Sequence, residues 1–156
     1  MKIASQENAV LEIKANPGKW NVISIRDSHS NYCPVDEIQH LCKDLFRVKF
    51  DDVYSDRYKT KYQKLATLED IENIIEFANG KENILVHCFA GVSRSSAVAY
   101  VICCTRESPW DAIQKLNLEN HLPNDHVVRL GAKLLKNPDI WKAFISRYDP
   151  IAEEHL

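Results

Sequence analysis

Residues 84–104 read ILVHCFAGVSRSSAVAYVICC, two apolar runs joined by a short loop that has to turn back sharply. Ile84, Leu85 and Val86 make a short apolar strand bounded by polar residues. From Ala97 to Cys104 the chain is apolar on all sides, which suits a helix buried at the centre of a domain. Strand, tight loop and buried helix in that order are a unit of layered α/β folds. The rest of the chain agrees. Val22, Ile23 and Ile25 form another buried strand, and Phe46, Val48 and Phe50 alternate with Arg47 and Lys49 as a half-buried one. Apolar residues at 35, 38, 41, 42 and 45 trace a helical stripe, and Ile3, Val10, Leu11 and Ile13 suggest short N-terminal strands. Thr67 is placed to cap a helix that buries Ile71, Ile74, Ile75 and Ala78 and ends at Gly80. Ser108-Pro109 and Asn137-Pro138 open two more helices, with residues 126–135 helical between them. The expectation is an α/β fold with a mostly parallel central sheet flanked by helices, as a single domain over residues 1–156.

In such a sheet the reactive position lies beyond the carboxyl ends of the strands, where residues 87–95 fall. Five residues separate Cys88 from Arg94, with Gly91 between them and Ser95 next. The first amides of a helix starting near Arg94 have no partner within the helix. A compact loop of Phe89, Ala90, Gly91, Val92 and Ser93 would turn its own amides inward beside them, forming a nest for a tetrahedral oxyanion. Gly91 relieves strain where the backbone folds back, and Arg94 offers a planar fork to two oxygens. The same amides favour a thiolate on Cys88 at the base of the nest, poised to attack phosphorus in line and form a phosphocysteine. Ser95 would stabilise that sulfur as a leaving group, and His87 would orient the loop through its ring N–H. An exposed thiolate there is open to reversible oxidation.

Composition excludes other classes. The chain has 156 residues, a formal net charge of -2 and 45% hydrophobic residues, an ordinary globular balance that argues against a nucleic-acid surface. No long apolar run and no leader-like segment occur, so a cytoplasmic protein without a membrane anchor is expected, with monomer as the default state. The five cysteines are odd in number and lack CxxC spacing, which points to free thiols. Cys103 and Cys104 read as packing, and Cys33 and Cys42 carry no assignment. No metal-binding or nucleotide-binding motif is present, so neither a metal nor another cofactor is implied.

His87, Cys88, Gly91, Arg94 and Ser95 together resemble the HCxxGxxR[ST] signature of the cysteine-dependent protein tyrosine phosphatases, and AGVSRSS is closest to the dual-specificity-like branch and its compact bacterial relatives. The resemblance is sharp over residues 84–104 and looser over roughly 20–136. It implies a phosphatase of phosphotyrosine, extending to phosphoserine and phosphothreonine, with a phosphorylated protein or peptide as partner. Alternatives are a phosphatase of phosphoinositide or RNA 5′-phosphate, or a phosphate-binding module without turnover. It further implies an aspartate acid on the loop after the strand that ends at Phe50. Asp52 fits the strand phase, Asp56 fits the spacing to Cys88 better, and Asp51 is a third candidate. Asp149, before Pro150, matches a related family whose signature lies at the opposite end of the chain. Arg57, Lys59, Lys61 and Lys64 would draw a phosphoester in, with Tyr54, Tyr58 and Tyr62 along the wall; a solvated lysine loop fits equally. His121 and His126 read as surface or capping residues.

Overall fold

The computed structural model describes residues 1–55 and 59–148. Its centre is a four-stranded sheet of β1 (Lys2–Ala4), β2 (Asn21–Arg26), β3 (Asp44–Lys49) and β4 (Ile84–His87), ordered β1-β4-β2-β3 with every pairing parallel. β2 and β4 are the inner strands and are buried at every residue, which is why they read as near-continuous apolar runs. β3 lies at an edge, and there Val48 points inward while Arg47 and Lys49 face solvent.

The two faces of the sheet carry separate apolar layers, as the period of two along a strand requires. Val22 and Leu85 pack under α1 (Gln6–Ala15) and a 3-10 helix (Pro34–Leu41), with Ala9, Ile13, Trp20 and Val35. Ile23, Ile25 and Val86 face the larger layer, built by α2 (Leu68–Ala78), α3 (Arg94–Cys104), α4 (Pro109–Gln114), α5 (Asp125–Leu134) and α6 (Asp139–Tyr148). α3 is its axis, buried from Arg94 through Ile102. α5 lies so close to it that a Cβ on Gly131 would sit 2.5 Å from a Val101 methyl. Tyr100 donates its hydroxyl to the Ile140 carbonyl at 2.7 Å and joins α3 to α6. Thr67 caps α2 reciprocally with Asp70, and Ser108 caps α4 ahead of Pro109, as their sequences predict.

Two expectations are corrected. Val10, Leu11 and Ile13 lie in α1, not in a strand; Ser5 caps that helix by accepting from the Asn8 amide, and Ala9 and Ile13, four apart, are its buried pair. Such a narrow stripe is easily read as alternation. The stripe over residues 35–45 is not one helix. Pro34 opens a 3-10 segment that is kinked at Ile38, and β3 begins at Asp44, where pairing with Asn21 of β2 takes over. Leu45 therefore belongs to the sheet.

Candidate active site

The carboxyl ends of β2, β3 and β4 converge, and the loop after β4 closes over them. Gly91 sits at its apex with φ +74°, and a Cβ there would lie 2.5 Å from the Ser5 amide nitrogen and 2.6 Å from the Ala4 carbonyl carbon. Only glycine fits so close to the passage from β1 into α1. The Gln6 amide fastens the same passage to the Phe89 carbonyl at 3.0 Å. The N-terminal segment, silent in the sequence, is the floor of the loop.

Cys88 lies at the base. Its sulfur takes the Gly91 N–H at 3.3 Å and lies 3.2 Å from Ser95 Oγ. The residue is only 2% exposed, so the expectation of an exposed thiolate is corrected: the loop folds over the sulfur. Among the described residues, the amides of Phe89, Ala90, Val92 and Ser93 have no hydrogen-bond acceptor. Ser93 stands at the N-cap of α3 without capping it, because its hydroxyl turns to Asp52 Oδ1 at 2.8 Å. The first turn of α3 therefore keeps its free donors and positive dipole end, directed at a loop of further free donors.

Arg94, the first residue of α3, is buried. Its Nη1 donates to Asp27 Oδ1 at 2.7 Å and to the Phe50 carbonyl at 2.9 Å, while its buried Nε–H has no acceptor among the described residues. Asp27 was not singled out in the sequence; its only signal is an acid directly after a buried strand. His87 is wholly buried, with Nδ1 3.2 Å from the Cys88 carbonyl and Nε2 2.6 Å from Ser24 Oγ. Burial, reinforced by Arg26 and Arg94 and opposed by the Cys88 carbonyl, pushes the imidazole down to about 4, so it is neutral near pH 7.

The candidate acids separate by their partners. Asp51 accepts from the Ser28 amide at 3.0 Å, the Ser28 hydroxyl at 2.5 Å and the Lys64 amide at 2.7 Å. Burial opposes its charge, but those bonds and Arg94 hold the carboxyl below its ordinary value. It ties two loops together as a carboxylate. Asp52 is exposed at the rim, where Oδ1 accepts from Ser93 and, at 2.9 Å, from Asn124 Nδ2. Asp56 and Asp149 lie outside the described residues, as do Arg57 and Tyr58.

Asn124 is a second residue that the sequence reading missed. It is 4% exposed and caps α5 through Oδ1, which accepts from the Val127 amide at 3.1 Å. Its Nδ2 also reaches the Val53 carbonyl at 3.2 Å, and its own amide donates to the Ser93 carbonyl at 3.1 Å. The side chain thus joins the loop after β3, the loop after β4 and the start of α5. Its signal was the Pro-Asn-Asp string before an amphipathic helix.

The remaining residues stand apart. Lys64 is engaged with the Lys49 carbonyl and Asp70, and Lys61 lies over the Tyr62 ring. His126 reaches the Ala66 carbonyl, 60 residues away along the chain, and His121 accepts from the nearby Asn117 amide. Burial pushes up the thiols of Cys42, Cys103 and Cys104, the last to about 12, which fits packing. Among the described residues no group of acidic, histidine and cysteine side chains is gathered to hold a metal, and no helix is long and apolar enough to cross a membrane.

No protein-family model and no curated protein matches the sequence. Solved structures do. A mouse putative dual specificity phosphatase, solved with zinc tungstate, matches with TM-score 0.59 and 17% identity over 90% of this chain and 85% of its own. The PTP-2 phosphatase of Cydia pomonella matches with TM-score 0.58 and 21% identity over 82% and 81%. PTPMT1, solved in complex with PI(5)P, matches with TM-score 0.56 and 13% identity over 90% of each chain. With its parallel sheet and its loop and helix after β4, this chain shares the fold of these phosphatase structures.

Proposed function

We propose that this single-domain chain hydrolyses phosphate monoesters on phosphorylated proteins or peptides, phosphotyrosine first and phosphoserine or phosphothreonine as well, through a phosphocysteine. The observation that carries this reading is the sulfur of Cys88, contacted by Gly91 and Ser95 at the floor of a loop with four acceptor-free amides. The Cys88 thiolate attacks phosphorus as the P–O bond to the leaving group breaks. Asp52, protonated, gives its proton to the departing oxygen. The loop amides and Arg94, aimed by Asp27, stabilise the charge on the three equatorial oxygens. In the second step water attacks phosphorus, Asp52 as carboxylate takes its proton, and the P–S bond breaks. Ser95 donates its hydroxyl hydrogen to the returning sulfur anion.

The loop interior, Phe-Ala-Gly-Val-Ser, carries no lysine, so it offers a single phosphate its backbone donors rather than a polyphosphorylated headgroup extra charge. That favours protein substrates over phosphoinositides. The test is a panel of phosphotyrosine, phosphoserine and phosphothreonine peptides, phosphoinositides and an RNA 5′-phosphate, run with the native chain and Cys88→Ser. The expected result is turnover of phosphotyrosine peptides, abolished in Cys88→Ser with binding retained. Turnover confined to lipid or RNA would overturn the substrate assignment. Binding without turnover of any of them would overturn the enzyme.

A further inference from the structure

Arg26, at the carboxyl end of β2, is 6% exposed, an unusual place for a guanidinium in a strand otherwise made of Val, Ile, Ser and Asn. Burying such a charge is costly without a partner, and Asp36 of the 3-10 helix supplies one, at 2.7 Å from Nη1 and 3.2 Å from Nη2. Asp36 is held in turn by Arg47 Nε at 2.8 Å, and Arg47 Nη2 reaches Gln39 at 2.6 Å. Arg26 Nη2 also lies 2.6 Å from Ser24 Oγ, and Ser24 sits opposite His87 in the sheet.

The direction of donation along this chain is fixed by chemistry. A guanidinium only donates, so Ser24 Oγ accepts from Arg26 and its own hydrogen is free for His87 Nε2 at 2.6 Å. The Cys88 carbonyl, 3.2 Å from Nδ1, can only accept, so the ring proton lies on Nδ1 and Nε2 presents its lone pair to that hydroxyl hydrogen. The Cys33 thiol, 3.7 Å from Ser24 Oγ, has Gln6 Oε1 as its own acceptor at 3.6 Å. We propose that Asp36, Arg26 and Ser24 are positioning residues: they lock His87 in the Nδ1–H tautomer and so fix the Cys88 peptide from which the sulfur projects. The inference rests on the phosphatase reading for its consequence in turnover, but the tautomer stands or falls by itself. The charged groups acting on the ring are Arg26 from β2, Arg94 from α3 and Asp36 from the 3-10 helix, and the two cations favour the neutral imidazole.

The test is nitrogen NMR of histidine-labelled protein, with kinetics on a phosphotyrosine peptide, for the native chain, Arg26→Met and Ser24→Ala. In the native chain Nδ1 alone carries the proton from about pH 5 to about pH 8. In Arg26→Met the Ser24 hydroxyl is free to accept, so Nε2–H appears and the ring titrates at higher pH. In Ser24→Ala the Nε2 lone pair loses its donor, and both tautomers are populated. In each variant kcat falls about tenfold while KM stays within about twofold, the signature of a displaced nucleophile rather than a lost binding group. The proposal is overturned if both variants keep Nδ1–H alone with the native titration, or if kcat falls without a change of tautomer. Should Arg26→Met fail to fold, Ser24→Ala decides alone. If the native chain hydrolyses nothing while the tautomer shifts as stated, the lock holds and the phosphatase reading fails.

Discussion

Replacing Asn124 separates holding the acid from holding the fold. Its side chain makes three bonds, to Asp52, to the Val53 carbonyl and from the Val127 amide. Asn124→Ala loses all three. A lost N-cap costs about 1 kcal/mol, and a lost hydrogen bond to a carboxylate about 1.5–3 kcal/mol. The buried Val53 carbonyl gives up a partner as well, so we expect a destabilisation of about 3 kcal/mol. Asn124→Ser keeps a capping hydroxyl for Val127 but is too short to reach Asp52. It should recover about 1 kcal/mol of that loss and none of the catalysis. On the proposed mechanism Asp52 gives a proton only when the leaving oxygen needs one, so both variants should lose about tenfold in kcat on a phosphoserine peptide and much less on an activated aryl phosphate. Urea denaturation and steady-state kinetics on the two substrates measure these quantities. If Asn124→Ser restores rate in proportion to stability, Asn124 is only a cap and the reasoning about Asp52 is refuted.

Asp51 and Asp52 should divide the same way. Asp52→Asn should flatten the basic limb of the pH–rate profile for poor leaving groups with little change in stability, whereas Asp51→Asn, which breaks the clasp to Ser28 and Lys64, should lower stability and leave the shape of that limb unchanged. His87 should tie stability to pH. Its folded value near 4 lies below the ordinary ~6.5, so between them the unfolded chain binds a proton that the native one does not, and stability falls as pH drops through that window by about 3 kcal/mol in all. Asp36 and Asp51, held below their ordinary value, add their own loss only at still lower pH. Urea melts of the native chain and His87→Asn at several pH values check the sign, since the variant should lack the loss above pH ~4.

What could be read from the sequence was local. Cys88, Gly91, Arg94 and Ser95 lie within eight residues, and their spacing calls for a tight loop around a sulfur, though not for how completely the loop covers it. The inner strands were legible because strands buried on both faces carry apolar runs, Val22-Ile23 with Ile25 in β2 and Ile84-Leu85-Val86 in β4. β1 was not, being three residues long and defined by its pairing with β4. Asp27 and Asn124 escaped notice because each acts on a partner far along the chain, Asp27 on Arg94 and Asn124 on Asp52. An acid after a strand and an Asn before a helix look the same whether or not such a partner waits. Arg26 drew no reading, because nothing beside it in the sequence shows that it is buried against Asp36 and Ser24.

The account depends on Cys88 Sγ becoming the phosphoryl acceptor. Rapid quenching of Asp52→Asn with a phosphotyrosine peptide, followed by mass spectrometry of the digested protein, tests this directly. One phosphoryl group should appear on the peptide that contains Cys88 and be absent from the Cys88→Ser variant. Turnover by the native chain with no phosphoryl group ever trapped on Cys88, or with one on another residue, would contradict it.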